Sequence, residues 1–210
     1  VAFTDGEFFA SGVEFYIDLI GKSSHGAQPQ RGTDCVKTGA HLINALLEIP
    51  ARDIDPLEIC VVSVGTFHAG DCVNILAGTA SLSGIVRSYN TKTRDSILNR
   101  IQTICGGIET IYDCKVSPRI VITYPPLIND KKLAELLRPL LPGEIVLAQK
   151  VMLAEDFSYY AETLPCLYML LGIRKEDAAI FPLHSDQFDF DESVLPIGLE
   201  TYLSIIKAFA

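Results

Sequence analysis

The stretch 58-EICVVSVGTFHAGDCVNILAGTASLSGIVRSY-89 decides the fold. Its first part, residues 58–67, is a β-branched run that reads as a strand. A Gly/Asn turn region, 69-AGDCVN-74, interrupts it. Residues 78–89 then alternate polar and apolar side chains with a period of two, the mark of a second strand. Moving outward, a helix flanks this pair on each side. Upstream, 33-TDCVKTGAHLINALLEIP-50 places apolar residues at 36, 40, 43, 46 and 47 on one face. Thr33 or Asp34 can cap this helix, and Pro50 is expected just past its end. Downstream, 92-KTRDSILNRIQTICGGIETIYDC-114 sets Ile97, Ile101, Ile104 and Ile108 at helical spacing. Outermost lie two further strands, 14-EFYIDLIGK-22 and 115-KVSPRIVITY-124. The order is β-α-β-β-α-β, the ferredoxin-like split βαβ pattern. It predicts an antiparallel four-stranded sheet with two helices on one face, over about residues 13–124.

Pro125 and Pro126 end that pattern. Beyond them the spacing predicts a helix at 130–141, a short strand at 145–148, a helix at 155–164, a strand at 166–173 and a helix at 193–210. The segment 166-CLYMLLGI-173 is apolar throughout, as expected of a strand covered on both faces. So few strands make a poor sheet. Either these elements dock on the first domain, or the rest of their sheet lies outside this chain.

Composition narrows the classes. A chain of 210 residues, 49% hydrophobic and 20% charged, is ordinary globular material. A net charge of −9 without a basic patch argues against nucleic acid as a partner. No apolar run approaches the ~20 residues of a membrane span, so no membrane is expected. The first residues lack the plan of a signal peptide. The six cysteines form no CxxC pair, and Cys60 and Cys105 sit in apolar runs. They read as buried free thiols in a reducing compartment, which makes the expected location cytoplasmic. The chain begins with Val1 and its first methionine is Met152, so it is expected to be excised, processed or incompletely represented.

Four places carry possible chemistry. His184 stands in 181-FPLHSDQFDFDES-193, before a run of carboxylates. Histidine is the commonest transition-metal ligand, but this one also suits a solvated loop leading into a helix. The acidic run lacks the aspartate spacing and central glycine of a calcium loop. His25 lies among small residues in 21-GKSSHGAQP-29, which let a backbone or ligand come close; a plain turn histidine is the alternative. Asn74 follows the turn. Arg87 sits near the end of its strand, where its guanidinium could grip a carboxylate or simply decorate the sheet. Phosphate-loop and serine-hydrolase readings fail, for want of GK[ST] and GxSxG.

Taken in order, GKxxHxxxP, DPLExxVVSVGTFHxG, VNxxxxxxxLxGxxR, YPPxxND, AEDFSYY and FPLHxxxFDxDE resemble the amidohydrolases of the aminoacylase, carboxypeptidase G2 and hippurate hydrolase superfamily. The hippurate and auxin-conjugate (indole-acetyl-amino-acid) hydrolases form the nearest branch. The resemblance spans essentially the whole sequence. It implies a ferredoxin-like lid and dimerisation domain at 13–124, inserted in an α/β metallopeptidase catalytic domain represented by 1–12 and 125–210. It implies hydrolysis of the amide bond of N-acyl amino acids, hippurate-like or acetyl-amino-acid-like, or of small peptides. Two metal ions, zinc or manganese, would serve the complete enzyme. His25 matches the lid histidine that polarises the scissile carbonyl, often in a neighbouring subunit's site. Asn74 and Arg87 match substrate-binding lid positions, and Glu155 lies in a segment near the substrate. His184 matches a C-terminal metal ligand. A homodimer through the lid is implied as well.

Departures accompany the match. Ala154 stands where relatives commonly carry glycine, and Gln30 where many carry histidine. The family's other metal ligands and its general-base glutamate lie upstream of the lid, and none occurs here. The segment 1-VAFTDGEFFASG-12 resembles the last strand before the lid. The expectation is therefore a chain that is inactive alone and holds no tightly bound metal, with His184 separated from its partner ligands. The alternative is a non-catalytic lid and dimerisation fragment that only binds a partner subunit.

Overall fold

A computed structural model describes residues 1–174 and 181–210. In chain order the elements are β1 (Ala2–Phe3), β2 (Gly6–Phe9), β3 (Gly12–Ile20), β4 (Ser24–His25), α1 (Cys35–Arg52), β5 (Cys60–Ala69), β6 (Ile75–Leu76) and β7 (Thr79–Ser88). There follow α2 (Thr91–Tyr112), β8 (Lys115–Tyr124), β9 (Leu127–Asn129), α3 (Lys131–Leu137), β10 (Val146–Leu147), α4 (Ser158–Ala161) and α5 (Leu195–Phe209). The chain divides into two compact units. One contains Phe9–Leu127 and Val151–Glu162, the other Val1–Phe8, Ile128–Lys150 and Thr163–Ala210.

The first unit is built on one sheet with strand order β5-β7-β3-β8. Every pairing in it is antiparallel, the β-α-β-β-α-β arrangement predicted from the alternation. Along β7 the even positions from Ala80 to Ser88 are buried and the odd ones are not. One face thus meets the helices, and the other carries Ser81, Ser83, Ile85 and Arg87. On the covered face Phe15, Ile17, Leu19, Leu42, Ile97 and Ile101 are all at most 1% exposed. Burial of each such side chain contributes about 1.5–3 kcal/mol. Gly84 lets Phe15 lie flat: a methyl there would overlap the Phe15 ring and the Ser63 carbonyl.

Both long helices start at side-chain caps. The Asp34 carboxylate accepts from the Val36 and Lys37 amides, at 2.9 and 3.3 Å. The Asn90 side chain accepts from the Thr93 amide at 2.7 Å. Helix α1 does not stop before Pro50 but runs through it to Arg52. In the last turn a proline removes only one backbone donor, and the Asp53 amide still bonds the Ile49 carbonyl at 3.0 Å. Helix α2 ends at Asp113, which takes a left-handed φ of 50°, a conformation aspartate tolerates better than most residues.

The second unit departs more from its sequence pattern. β1 and β10 pair in parallel over two residues. The expected strand at 166–173 forms no ladder; Leu170 makes a single antiparallel bridge to Ala2. Its backbone groups find other partners. The Asn129 amide donates to the Tyr168 and Thr4 carbonyls and accepts from the Tyr168 amide. The Asp130 amide donates to the Cys166 carbonyl at 2.8 Å. The helix expected at 130–141 is α3 plus a 3₁₀ turn over Arg138–Leu140, because Pro139 cannot extend an α-helical ladder. The helix expected at 155–164 shrinks to the single turn α4. Phe3, Ala134 and Leu141 form this unit's small core.

Candidate functional site

In the first unit, the loop between β3 and α1 is pinned to the loop between β5 and β7. The Gly21 amide donates to the Gly78 carbonyl at 2.9 Å, and the Cys35 amide to the Ala77 carbonyl at 3.0 Å. β4 and β6 then pair, bringing His25 opposite Ile75. The Gly26 amide bonds the Asn74 carbonyl at 2.8 Å. A Cβ at Gly26 would stand 3.2 Å from that oxygen, so the close approach favours glycine. His25 and Asn74, 49 positions apart in sequence by their numbers, thus share one exposed tip. The His25 Nδ1 accepts from the Ala27 amide at 3.0 Å. In the neutral ring the proton therefore sits on Nε2, which leaves that N–H available as a donor.

Arg87 lies toward the opposite end of the sheet. Its Nη1 donates to the Val86 carbonyl at 3.1 Å and reaches the Val13 carbonyl at 3.5 Å. Burial pushes its pKa down while the Glu14 carboxylate pulls it back up; a guanidinium remains charged through such a shift. The segment bearing Glu155 is at this same end. The Ala10 amide bonds the Leu153 carbonyl at 2.9 Å, and Gly12 packs closely against Ala154 and Tyr124. The Glu155 Oε1 accepts from the Phe157 amide at 3.4 Å, and its carbonyl accepts from the Ser158 hydroxyl at 2.6 Å. The structure therefore brings His25 to Asn74, and Arg87 to the end that holds Glu155. It does not bring the two pairs together. From Thr79 to Arg87 along β7 the strand rise gives about 26 Å.

His184 belongs to the second unit. It is exposed and holds φ at 70°, a rare conformation for a residue with a Cβ and one that recurs at functional sites. Nothing in the residue pattern announced it. Part of the acidic run beside it serves the backbone: Asp189 accepts from the Phe190 amide and Asp191 from the Ser193 amide. Among the described residues, no group of three or more His, Cys, Asp or Glu side chains could hold a metal ion. The described residues do not assemble a metal centre around His184.

Two features went unread in the sequence. A cleft of about 780 Å³ opens at the His25 end of the sheet, lined by Asp18, His68, Asp71, Thr79 and Ser81 among others. His68, Ser81 and Asp18 form one cross-strand row there. The period-two alternation contained that row, but only the pairing register could reveal it. The second is the buried contact between the thiols of Cys35 and Cys114, 3.9 Å apart. The cysteines are free; Cys72 is exposed, and Cys60 and Cys166 are half-buried. Among the described residues, no helix is long and apolar enough to cross a membrane.

Residues 11–110 match the M20 peptidase dimerisation domain. That match covers just under half of the chain. Curated relatives match over nearly the whole chain. An N-acetyldiaminopimelate deacetylase of Shouchella clausii is 29% identical over 212 residues, covering 99% of this chain and 56% of that protein. One from Enterococcus faecalis is 31% identical over 208 residues, covering 97% and 54%. A candidate aminohydrolase from methicillin-resistant Staphylococcus aureus superposes with a TM-score of 0.90 at 25% identity, over 96% of this chain and 53% of that one. A dinuclear metal-binding M20 peptidase of Bacillus subtilis gives a TM-score of 0.77 over 98% of this chain and 52% of that one. At 20% identity the second likeness concerns the fold alone. The chain spans about half the length of the curated relatives it matches.

Proposed function

We propose that this chain is part of a metal-dependent amidohydrolase of the M20 family that cleaves N-acyl amino acids or small peptides, working as a homodimer through its ferredoxin-like domain. The domain would serve as a lid over about residues 13–124, with 1–12 and 125–210 belonging to the catalytic domain. The reading rests on the tip: an exposed imidazole with Nδ1 occupied by the Ala27 amide, which leaves Nε2–H as the donor of the neutral ring, held beside Asn74. Such a donor can stabilise an oxyanion developing on a scissile carbonyl. A well-placed donor of this kind is worth roughly 3–4 kcal/mol. Arg87 would grip the substrate carboxylate, with Glu155 close by, and His184 would be one ligand to zinc or manganese. The remaining ligands would come from protein beyond these residues. A cytoplasmic location fits the free thiols.

The separation of about 26 Å along β7 argues that one substrate cannot touch His25 and Arg87 of the same chain. Two copies can supply them. The sheet offers an edge for this. β8 is blunted by Lys115, Pro118 and Arg119, the residue types that guard an edge strand. β5, 60-CVVSVGTFHA-69, carries none of these and would pair with its counterpart in a second copy.

Complementation tests the reading. In the catalytically competent protein that contains this chain, His25→Ala and Arg87→Ala should each abolish hydrolysis of an N-acetyl amino acid. Mixing the two inactive variants should restore about a quarter of wild-type activity, because half of the dimers are mixed and each holds one intact site. No recovery on mixing, with both variants still dimeric, removes the two-copy site. The second reading, a module that binds a partner subunit and catalyses nothing, is favoured by the lack of a three-ligand cluster among the described residues. It predicts that His25→Ala changes no reaction at all.

A further inference from the structure

The ribbon at the tip pairs His25 with Ile75 and Ser24 with Leu76. The Gly26 amide bonds the Asn74 carbonyl at 2.8 Å, one position outside the His25–Ile75 pair. This pattern makes His25 and Ile75 a non-hydrogen-bonded pair, the kind in which facing side chains stand closest. Their Cβ atoms are then about 4.5–5.5 Å apart on one face of the ribbon. Ile75 is not a core residue: it is 49% exposed. A rigid, branched hydrocarbon thus stands beside the exposed imidazole, whose Nδ1 accepts from the Ala27 amide.

We infer that Ile75 limits the size of the acyl group that the enzyme accepts. The inference rests on the proposed function, in which His25 donates to the carbonyl oxygen of the scissile amide. In an N-acyl amino acid the acyl substituent is bonded directly to that carbonyl carbon, so whatever flanks the imidazole also flanks the substituent. The other side of the amide leads to a carboxylate, which an aliphatic wall would desolvate without compensation. The acyl substituent is apolar and suits that wall. A branched Cβ admits an acetyl methyl beside the imidazole and crowds a benzoyl ring.

The test is the ratio of kcat/KM for an N-benzoyl amino acid to that for the N-acetyl compound, measured in the catalytically competent protein that contains this chain. Ile75→Ala should raise the ratio by roughly ten-fold, Ile75→Val should raise it less, and Ile75→Phe should lower it. Melting curves within a few degrees of wild type establish that the half-exposed site tolerates these changes. His25→Ala is measured alongside. An unchanged ratio across the three Ile75 variants, with His25→Ala inactive, overturns the inference and leaves the proposed function standing. Wild-type hydrolysis by His25→Ala overturns the proposed function, and the inference falls with it. A graded ratio together with an inactive His25→Ala supports both.

Discussion

The two units bury their apolar residues to very different degrees. In the four-stranded unit, Val13, Phe15, Leu42, Leu46, Ile97 and Ile101 are all fully buried. In the other unit, α5 has two apolar sides. One side places Gly198 against Leu171, buries Thr201 and packs Ile205 on Phe3 and its neighbours. The other side leaves Leu195, Leu199, Tyr202 and Ile206 between 54% and 68% exposed. A helix apolar all round belongs inside a protein. The four-stranded unit builds a core from its own residues, although Val36 and Leu47 of the expected α1 face stand exposed and the buried face carries Cys35, Leu42 and Ile49 alongside Leu46. By contrast, α5 is written for a covering that the described residues do not supply.

This contrast can be broken by mutation. Phe15→Ala should cost about 3–5 kcal/mol in the four-stranded unit, read by hydrogen exchange of the β3 and β7 amides. A loss below 1 kcal/mol would refute its packed core. Next comes Asn129, which stands in for a strand ladder in the other unit. Asn129→Ala removes the side-chain hydrogen bonds to the half-buried backbone of Thr4 and Tyr168 and should cost about 1–3 kcal/mol, visible as faster exchange at Tyr168.

Alkaline pH should act mainly on the four-stranded unit. Burial raises the Cys105 thiol from 9.0 to about 12 and the Cys114 thiol from 9.0 to about 11. The folded state therefore keeps protons that the unfolded chain loses. Stability from these thiols is fully present below pH 9 and is lost as pH climbs towards about 11 to 12. Urea midpoints at pH 8, 10 and 11 should fall in that order, and less steeply in Cys105→Ala; equal slopes would contradict the assignment. A smaller effect is shared by both units. Asp34 caps α1 and Asp130 caps α3, so replacing either with alanine should cost about 1 kcal/mol, seen in exchange at the first turn of its helix. Smallest of all, Leu199→Ala should change stability by less than about 0.5 kcal/mol in this chain. A large loss there would mean that α5 is covered in solution.

The four-stranded unit was legible because its information is local. A period of two over 78–89, isoleucines at helical spacing over 97–108 and capping residues at Asp34 and Asn90 each bias the backbone within a few residues. The site was legible only as separate pieces. His25, Asn74, Arg87, Glu155 and His184 could be picked out by type and motif, but no periodicity says which of them meet. Ile75 carried no signal, since an isoleucine after a turn is unremarkable until its strand partner is known. The run 166–173 has the apolar content of a strand; a strand also needs neighbours, and here Asn129 supplies that bonding from a side chain.

By itself, then, the sequence determined the β-α-β-β-α-β order, the helix caps and the ordered motifs that carry the resemblance to amidohydrolases, because these depend on residue type and short spacings. Only the tertiary structure decided that His25 meets Ile75 and Asn74 at one end of the sheet while Arg87 and Glu155 lie at the other. That outcome rests on strand register, which is set by many weak contacts acting together across the core. One residue of slip would turn every side chain on the strand to the opposite face.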